Sequence, residues 1–289
     1  MVIKLLFLVS FFVIMIAVGI LARKYATNVG DFVLGGRSVG PWLTAFAYGT
    51  SYFSAVVFVG YAGQFGWRFG LSATWIGIGN AIIGSLLAWV ILGRRTRIMT
   101  NYLKSSTMPD FFGSRYDSKA LKVAASLIAF IFLVPYTSSV YNGLSRLFGM
   151  AFDIPYWVCV LTMAVLTGIY VIAGGYMATA INDFIQGIIM IIGIIAVISA
   201  VLGRQGGLLT AVEKLAEIES DLPATLGQDG VFTSIFGPDP VNLIGVVILT
   251  SLGTWGLPQM VHKFYAIKNE KSIKTGTVIS TIFAIVIAG

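Results

Sequence analysis

Charge is what this sequence has least of. Only 11% of its 289 residues are Asp, Glu, Lys or Arg, where a soluble domain carries about a quarter so that its surface stays hydrated. With 57% hydrophobic residues, the chain cannot clothe a water-facing surface. Its outside must be apolar as well, and lipid is the solvent that permits this. Cysteine is nearly absent: Cys159 stands alone inside an apolar run, which excludes a disulfide framework and a cysteine metal site. The single histidine, His262, stands beside Lys263 at the end of another apolar run and reads as an interfacial residue rather than a metal ligand or proton switch. With one His, one Cys and one carboxylate near a span interior, there is no acid–base pair and no metal set, so an enzyme is not expected.

Long apolar runs are what is present. A membrane helix needs about 20 mostly apolar residues, and candidate spans lie near 2–22, 42–63, 73–93, 121–147, 155–173, 184–203, 241–262 and 272–289. Together they predict one all-α transmembrane domain. The first run is no cleaved leader: its apolar stretch is too long, and Arg23-Lys24 follow where a small-residue cleavage site belongs. The last run begins near 272 and meets no basic stop before Ala288-Gly289, so the expectation is a chain cut inside a helix.

The net charge of +7 does not point to nucleic acid, because the basic residues sit in short loops between the spans, where they set orientation. With the N-terminus outside, the inner loops hold Arg23, Lys24 and Arg37, then Arg94, Arg95, Arg97, Lys104, Arg115, Lys119 and Lys122, then Lys263, Lys268, Lys271 and Lys274. Only Lys4, Arg68, Arg146, Arg204 and Lys214 fall outside. The asymmetry predicts an N-out topology in the plasma membrane. Residues 204–240 form a long external loop with an amphipathic helix over Leu208–Ile218, and 107–117 reads as a short interfacial helix with Pro109 near its start.

Polar groups at membrane depth need a reason, since leaving one unpaired in hydrocarbon costs several kcal/mol, roughly. The second span contains Ala47-Tyr-Gly-Thr-Ser-Tyr-Phe-Ser-Ala55, with hydroxyls on several faces around Gly49. A helix that opens here frees carbonyl oxygens, hard ligands suited to sodium. Alternatively, the hydroxyls bond back to the preceding turn or glue helices together. The seventh span repeats the pattern in Leu249-Thr-Ser-Leu-Gly-Thr-Trp-Gly-Leu-Pro-Gln259. Two interrupted spans, five helices apart and each with a Gly-Thr pair, suit a five-plus-five inverted repeat preceded by one leading helix. Asp183 is the one carboxylate near a span interior; it is either an ion ligand or relay or, with Asn182, a helix cap.

Several stretches then resemble one family. They are Asp31-Phe-Val-Leu-Gly-Gly-Arg-Ser-Val-Gly-Pro-Trp42, Met108-Pro-Asp-Phe-Phe112, Arg146-Leu-Phe148, Ala173-Gly-Gly-Tyr176 through Asp183 to Gln186, and Trp255-Gly256 followed by Pro258, Lys263-Phe264 and Ala266. In this order over nearly the whole chain, they resemble the sodium/solute symporters, which carry proline, pantothenate, sialic acid or sugars. The resemblance implies inverted five-helix repeats after a leading helix, here truncated in the second repeat. It also implies sodium as coupling ion and a small organic solute as cargo. Thr50 and Phe53 match positions whose backbone carbonyls hold sodium, and Asp183 matches a carboxylate linked to a second sodium site. Tyr52 stands where several relatives carry Asp or Asn, and Thr254 where sugar carriers place a gating Tyr, which weighs against a sugar. Tyr176 replaces the usual aliphatic residue or Phe. Ser51, Tyr52, Ser54, Thr254 and Trp255 are then the expected solute-lining residues. A sensor, in which such a membrane unit is fused to a kinase, is the alternative that the resemblance leaves open.

Overall fold

The computed structural model describes residues 2–54, 61–222 and 225–288. Met1, residues 55–60 of the second span, 223–224 of the long loop and Gly289 lie outside them. The described chain is helical nearly throughout, as a bilayer demands, because in lipid each backbone N–H and C=O must find its partner within the segment. Among the described residues the one β feature is an isolated parallel bridge, Val39 to Ile267.

Helix α1 (Val2–Ala22) leads. A short α2 (Val29–Leu34), capped by Asn28, turns the chain into α3 (Pro41–Tyr52). The chain is helical again over α4 (Gly63–Phe69). Next comes α5 (Thr74–Gly79), which runs through π-helical turns at Asn80–Leu87 and Trp89–Gly93 into α6 (Arg94–Tyr102). The short α7 (Met108–Tyr116) begins at a Thr107 cap with Pro109 in its first turn. Then follow α8 (Lys119–Phe152), α9 (Tyr156–Gln205), the surface helix α10 (Leu208–Ala216), α11 (Pro240–Leu252), α12 (Pro258–Ala266) and α13 (Glu270–Ala288). Among the described residues, five helices are long and apolar enough to cross a membrane, or six when the bent pair on either side of Leu257 counts as one span.

Helix α9 corrects one expectation. The sequence suggests two spans, 155–173 and 184–203, with a connection between them. The structure instead has helix on both sides of a single residue, Gly175, at φ 56° and ψ −149°. Fifty residues of straight helix would measure about 75 Å, more than twice the bilayer core of about 30 Å. The kink at Gly175 divides this length into two arms. Only glycine tolerates that conformation, and a Cβ there would stand 2.7 Å from the Phe32 carbonyl oxygen. Because helix resumes at Tyr176, Asp183 lies about two turns inside it. The capping role considered for Asn182 or Asp183 is thereby excluded.

The two ends of the bundle differ in charge. At one end Arg37 donates to the carbonyls of Thr100 (3.2 Å), Ser105 (2.6 Å) and Tyr265 (3.3 Å). Arg97 donates to the Ile267 carbonyl, and Arg94 pairs with Glu270. The Val39–Ile267 bridge joins the same loops, with Val39 N–H donating to Ala266 O (3.3 Å) and Lys268 N–H to Val39 O (2.9 Å). At the other end Arg68 pairs with Asp239, and the Trp75 indole N–H donates to Ile235 O. The buried core between the ends is aromatic, built on Tyr48, Tyr52, Phe53, Trp89, Phe264 and Phe283. Long apolar side chains elsewhere, such as Phe7, Phe130 and Ile172, point outward, as lipid contact permits.

Candidate functional site

Two of the spans are broken, both around buried polar groups. The first break follows α3, whose last helical residue is Tyr52. Phe53 leaves the helix at φ −91°, ψ 58°, its N–H still donating to Gly49 O. The carbonyls of Thr50, Ser51 and Tyr52 fall in the final turn, where a helix leaves its acceptors without intrahelical donors. The Thr50 hydroxyl does bond back, to Phe46 O at 2.9 Å, as one of the two sequence readings anticipates. The helix also stops here, at Tyr52. Ser51 and Ser54 are half-buried beside it.

The second break follows α11. Gly253–Gly256 tightens into a 3₁₀ turn, Leu257 is extended at ψ 124°, and α12 restarts at Pro258 with a bend of 50°. Proline suits the first helical turn because its missing N–H has no intrahelical role there. The Thr254 hydroxyl donates back to Ser251 O, and the Trp255 indole N–H donates to Ile83 O at 3.1 Å. Both amide atoms of Gln259, in the first turn of α12, are shielded from solvent without a hydrogen-bond partner among the described residues.

The π-helical turn after α5 stands between the breaks. The Tyr52 hydroxyl reaches Thr250 O (2.8 Å) and Asn80 Oδ1 (3.1 Å). The hydroxyls of Thr250 and Ser251 reach the same Asn80 oxygen, at 2.9 and 3.1 Å. Tyr48 donates to Gly84 O at 2.8 Å, and a Cβ on Gly84 would collide with the Tyr52 hydroxyl. A little further along, Ser85 and Ser280 share a hydrogen bond of 2.9 Å.

Of the residues singled out in the sequence, Tyr52 thus meets the seventh span through Thr250, while Trp255 reaches one π-helical carbonyl, that of Ile83. Asp183 has a different partner, the Lys263 ammonium 3.2 Å away. Lys263 also lies over the Tyr176 ring, 5.3 Å from its centroid, and His262 packs on the same ring at 5.1 Å. The Asp183 helix nevertheless touches α3 ahead of the first break: the Phe184 ring packs tilted against Phe46 at 4.8 Å, and Gly187 leaves room for the Thr50 methyl. An apolar cavity of about 490 Å³ opens beside the second break, lined by Met108, Phe112, Ile128, Phe132, Tyr136 and Pro258 among others. Of the expected solute-lining residues, none contributes to it.

Sequence reasoning missed two of these residues. Asn80 was absorbed into an apolar span, although an amide at membrane depth is itself a signal. Lys263 was counted among the loop charges, yet it is 6% exposed; its i, i+4 spacing from Gln259 on a broken span was the available clue.

Known proteins match this sequence. A family model described as "Sodium:solute symporter family" matches residues 32–289. The chain is 32% identical over 278 residues to proteins named sodium/proline symporter in Staphylococcus aureus strains JH9, JH1 and COL, covering 91% of this chain and 50% of each relative. It therefore spans about half the length of the curated relatives it matches. With two broken spans, an apolar exterior and this match over most of its residues, the chain belongs to the sodium:solute symporter family, whose members are transporters and not enzymes.

Proposed function

We propose that this chain carries the ion and solute sites of a sodium-coupled symporter that moves a small organic solute across the plasma membrane, its N-terminus outside. The observation that carries the reading is the pair of helix breaks at Phe53 and Leu257, held together through Tyr52 and Thr250. Sodium binds the carbonyls of Thr50 and Phe53 at the C-terminal end of α3, where the helix dipole is negative. The solute lies between the breaks against Ser51, Tyr52, Ser54, Thr254 and Trp255. The unpartnered Gln259 amide at the start of α12 and the positive end of that helix favour a solute with a carboxylate. Asp183 serves a second sodium, which must first displace the Lys263 ammonium. The basic loops gathered at the Arg37 end support a cytoplasmic side for that end.

The relatives' names make L-proline the first solute to try. Uptake of labelled L-proline by vesicles holding the whole encoded protein is expected to rise with an inward sodium gradient. Uptake that ignores sodium would overturn the coupling.

A further inference from the structure

The polar link between the breaks passes through one side chain. Asn80 is 4% exposed, and its Oδ1 gathers three hydroxyls. One belongs to Tyr52, the last helical residue before the first break. The other two belong to Thr250 and Ser251, immediately before the second.

Two of these hydroxyls do not need Asn80 to be satisfied. The Thr250 hydroxyl already has Val246 O at 2.9 Å, and the Tyr52 hydroxyl already has Thr250 O at 2.8 Å. Each has a single proton to donate, so its bond to Asn80 competes with another of similar length. The same hydroxyls can accept as well, so the link persists whichever way the amide is turned. An arrangement with such redundancy is easily rearranged: a small shift of Tyr52 moves its proton from one acceptor to the other. The π-helical backbone strengthens the point. It presents Gly84 O to Tyr48 in α3 and Ile83 O to Trp255 in the second break. π-helical turns widen the helix and re-aim its groups.

We propose that Asn80 is the positioning residue that couples the two sites: through Tyr52 on one side and Thr250 and Ser251 on the other, it makes solute affinity depend on bound sodium. The inference rests on the symport reading and adds to it a residue outside both sites. Binding free energies are reciprocal, so L-proline must change sodium affinity by the factor by which sodium changes that of L-proline.

The test is binding of radiolabelled sodium to the whole purified protein, with and without saturating L-proline. In the unaltered protein L-proline is expected to lower the half-saturating sodium concentration about fivefold or more, the usual size of such a coupling. In Asn80→Leu sodium still binds, but L-proline no longer shifts it. Asn80→Gln, which retains an amide, recovers part of the shift. Thr250→Val keeps the side-chain shape, removes one hydroxyl and reduces the shift; it decides the matter should Asn80→Leu fail to fold. A full shift in Thr250→Val together with a full shift in any folded Asn80→Leu overturns the role of Asn80 and leaves symport standing. No shift in the unaltered protein overturns the symport reading with L-proline, and this inference with it.

Discussion

The Lys263 ammonium stands 3.2 Å from Asp183 Oδ2, with the two side chains only 8% and 22% exposed. One comes from α12, just past the second break, and the other from α9, two turns past the Gly175 bend. A pair this sheltered is held in place by the cost of separating it, since either charge alone would sit poorly solvated. It therefore fastens the restart of the seventh span to the sixth.

Removing one member is expected to cost more than removing both. Asp183→Asn should lower stability by about 3 kcal/mol, the usual size for a stranded buried charge. Asp183→Asn with Lys263→Met should recover most of that loss. Thermal unfolding of the whole protein in detergent measures both; equal losses in the single and double variants would show that the pair contributes no coupling.

Gly175 offers a sharper contrast. Gly175→Ala forces a side chain into a conformation closed to it and against the Phe32 carbonyl, at a cost of about 2 kcal/mol or more. Gly193→Ala, in the same helix with open space around its Cβ, should be neutral or gain up to about 1 kcal/mol. The two melting temperatures should move in opposite directions or differ by several degrees. Equal shifts would place the bend elsewhere.

Arg37 joins three segments through carbonyls of Thr100, Ser105 and Tyr265. Arg37→Lys retains the charge but loses the planar fork that reaches several acceptors at once. It should destabilise by about 2 kcal/mol, the scale of one charge-assisted bond lost, and Arg37→Ala should cost more. If the lysine variant melts with the parent, the charge alone is sufficient.

Asp110 carries the pH dependence of the α7–α8 junction. The hydrogen bond from Lys122 holds its carboxyl below the ordinary carboxylate range, helped by the Ser106 N–H. A group whose folded pKa is depressed stabilises the protein fully above its unfolded value of about 3.9 and loses that contribution as pH falls through the folded one. Stability should therefore be level near neutrality and fall in acid, more steeply than in Asp110→Asn. Matching acid limbs in the two proteins would remove Asp110 from the account.

The all-α membrane character and both breaks were legible in the sequence, because each rests on local composition: apolar length for the helices, and Gly, Pro and hydroxyl clusters for the breaks. The α9 bend was half legible. Gly174-Gly175 marked it, but periodicity cannot tell a loop from one residue with positive φ. The partners were not legible. Asp183 meets Lys263 across 80 positions and Asn80 meets Thr250 across 170, and no local pattern reports a meeting at that separation. Lys263 shows why counting charges fails near span ends: the residue that orients a loop in one protein is folded inward here, over Tyr176.

The small parallel bridge at Val39 and Ile267 has a mechanical consequence. Val39 lies just ahead of α3 and Ile267 just after α12, so two backbone hydrogen bonds clasp α3 and α12 at the ends remote from their breaks. Drawing those ends apart must break the clasp, whereas swinging α11 about the break at Leu257 breaks neither bond. The cheaper pivot lies above the clasp.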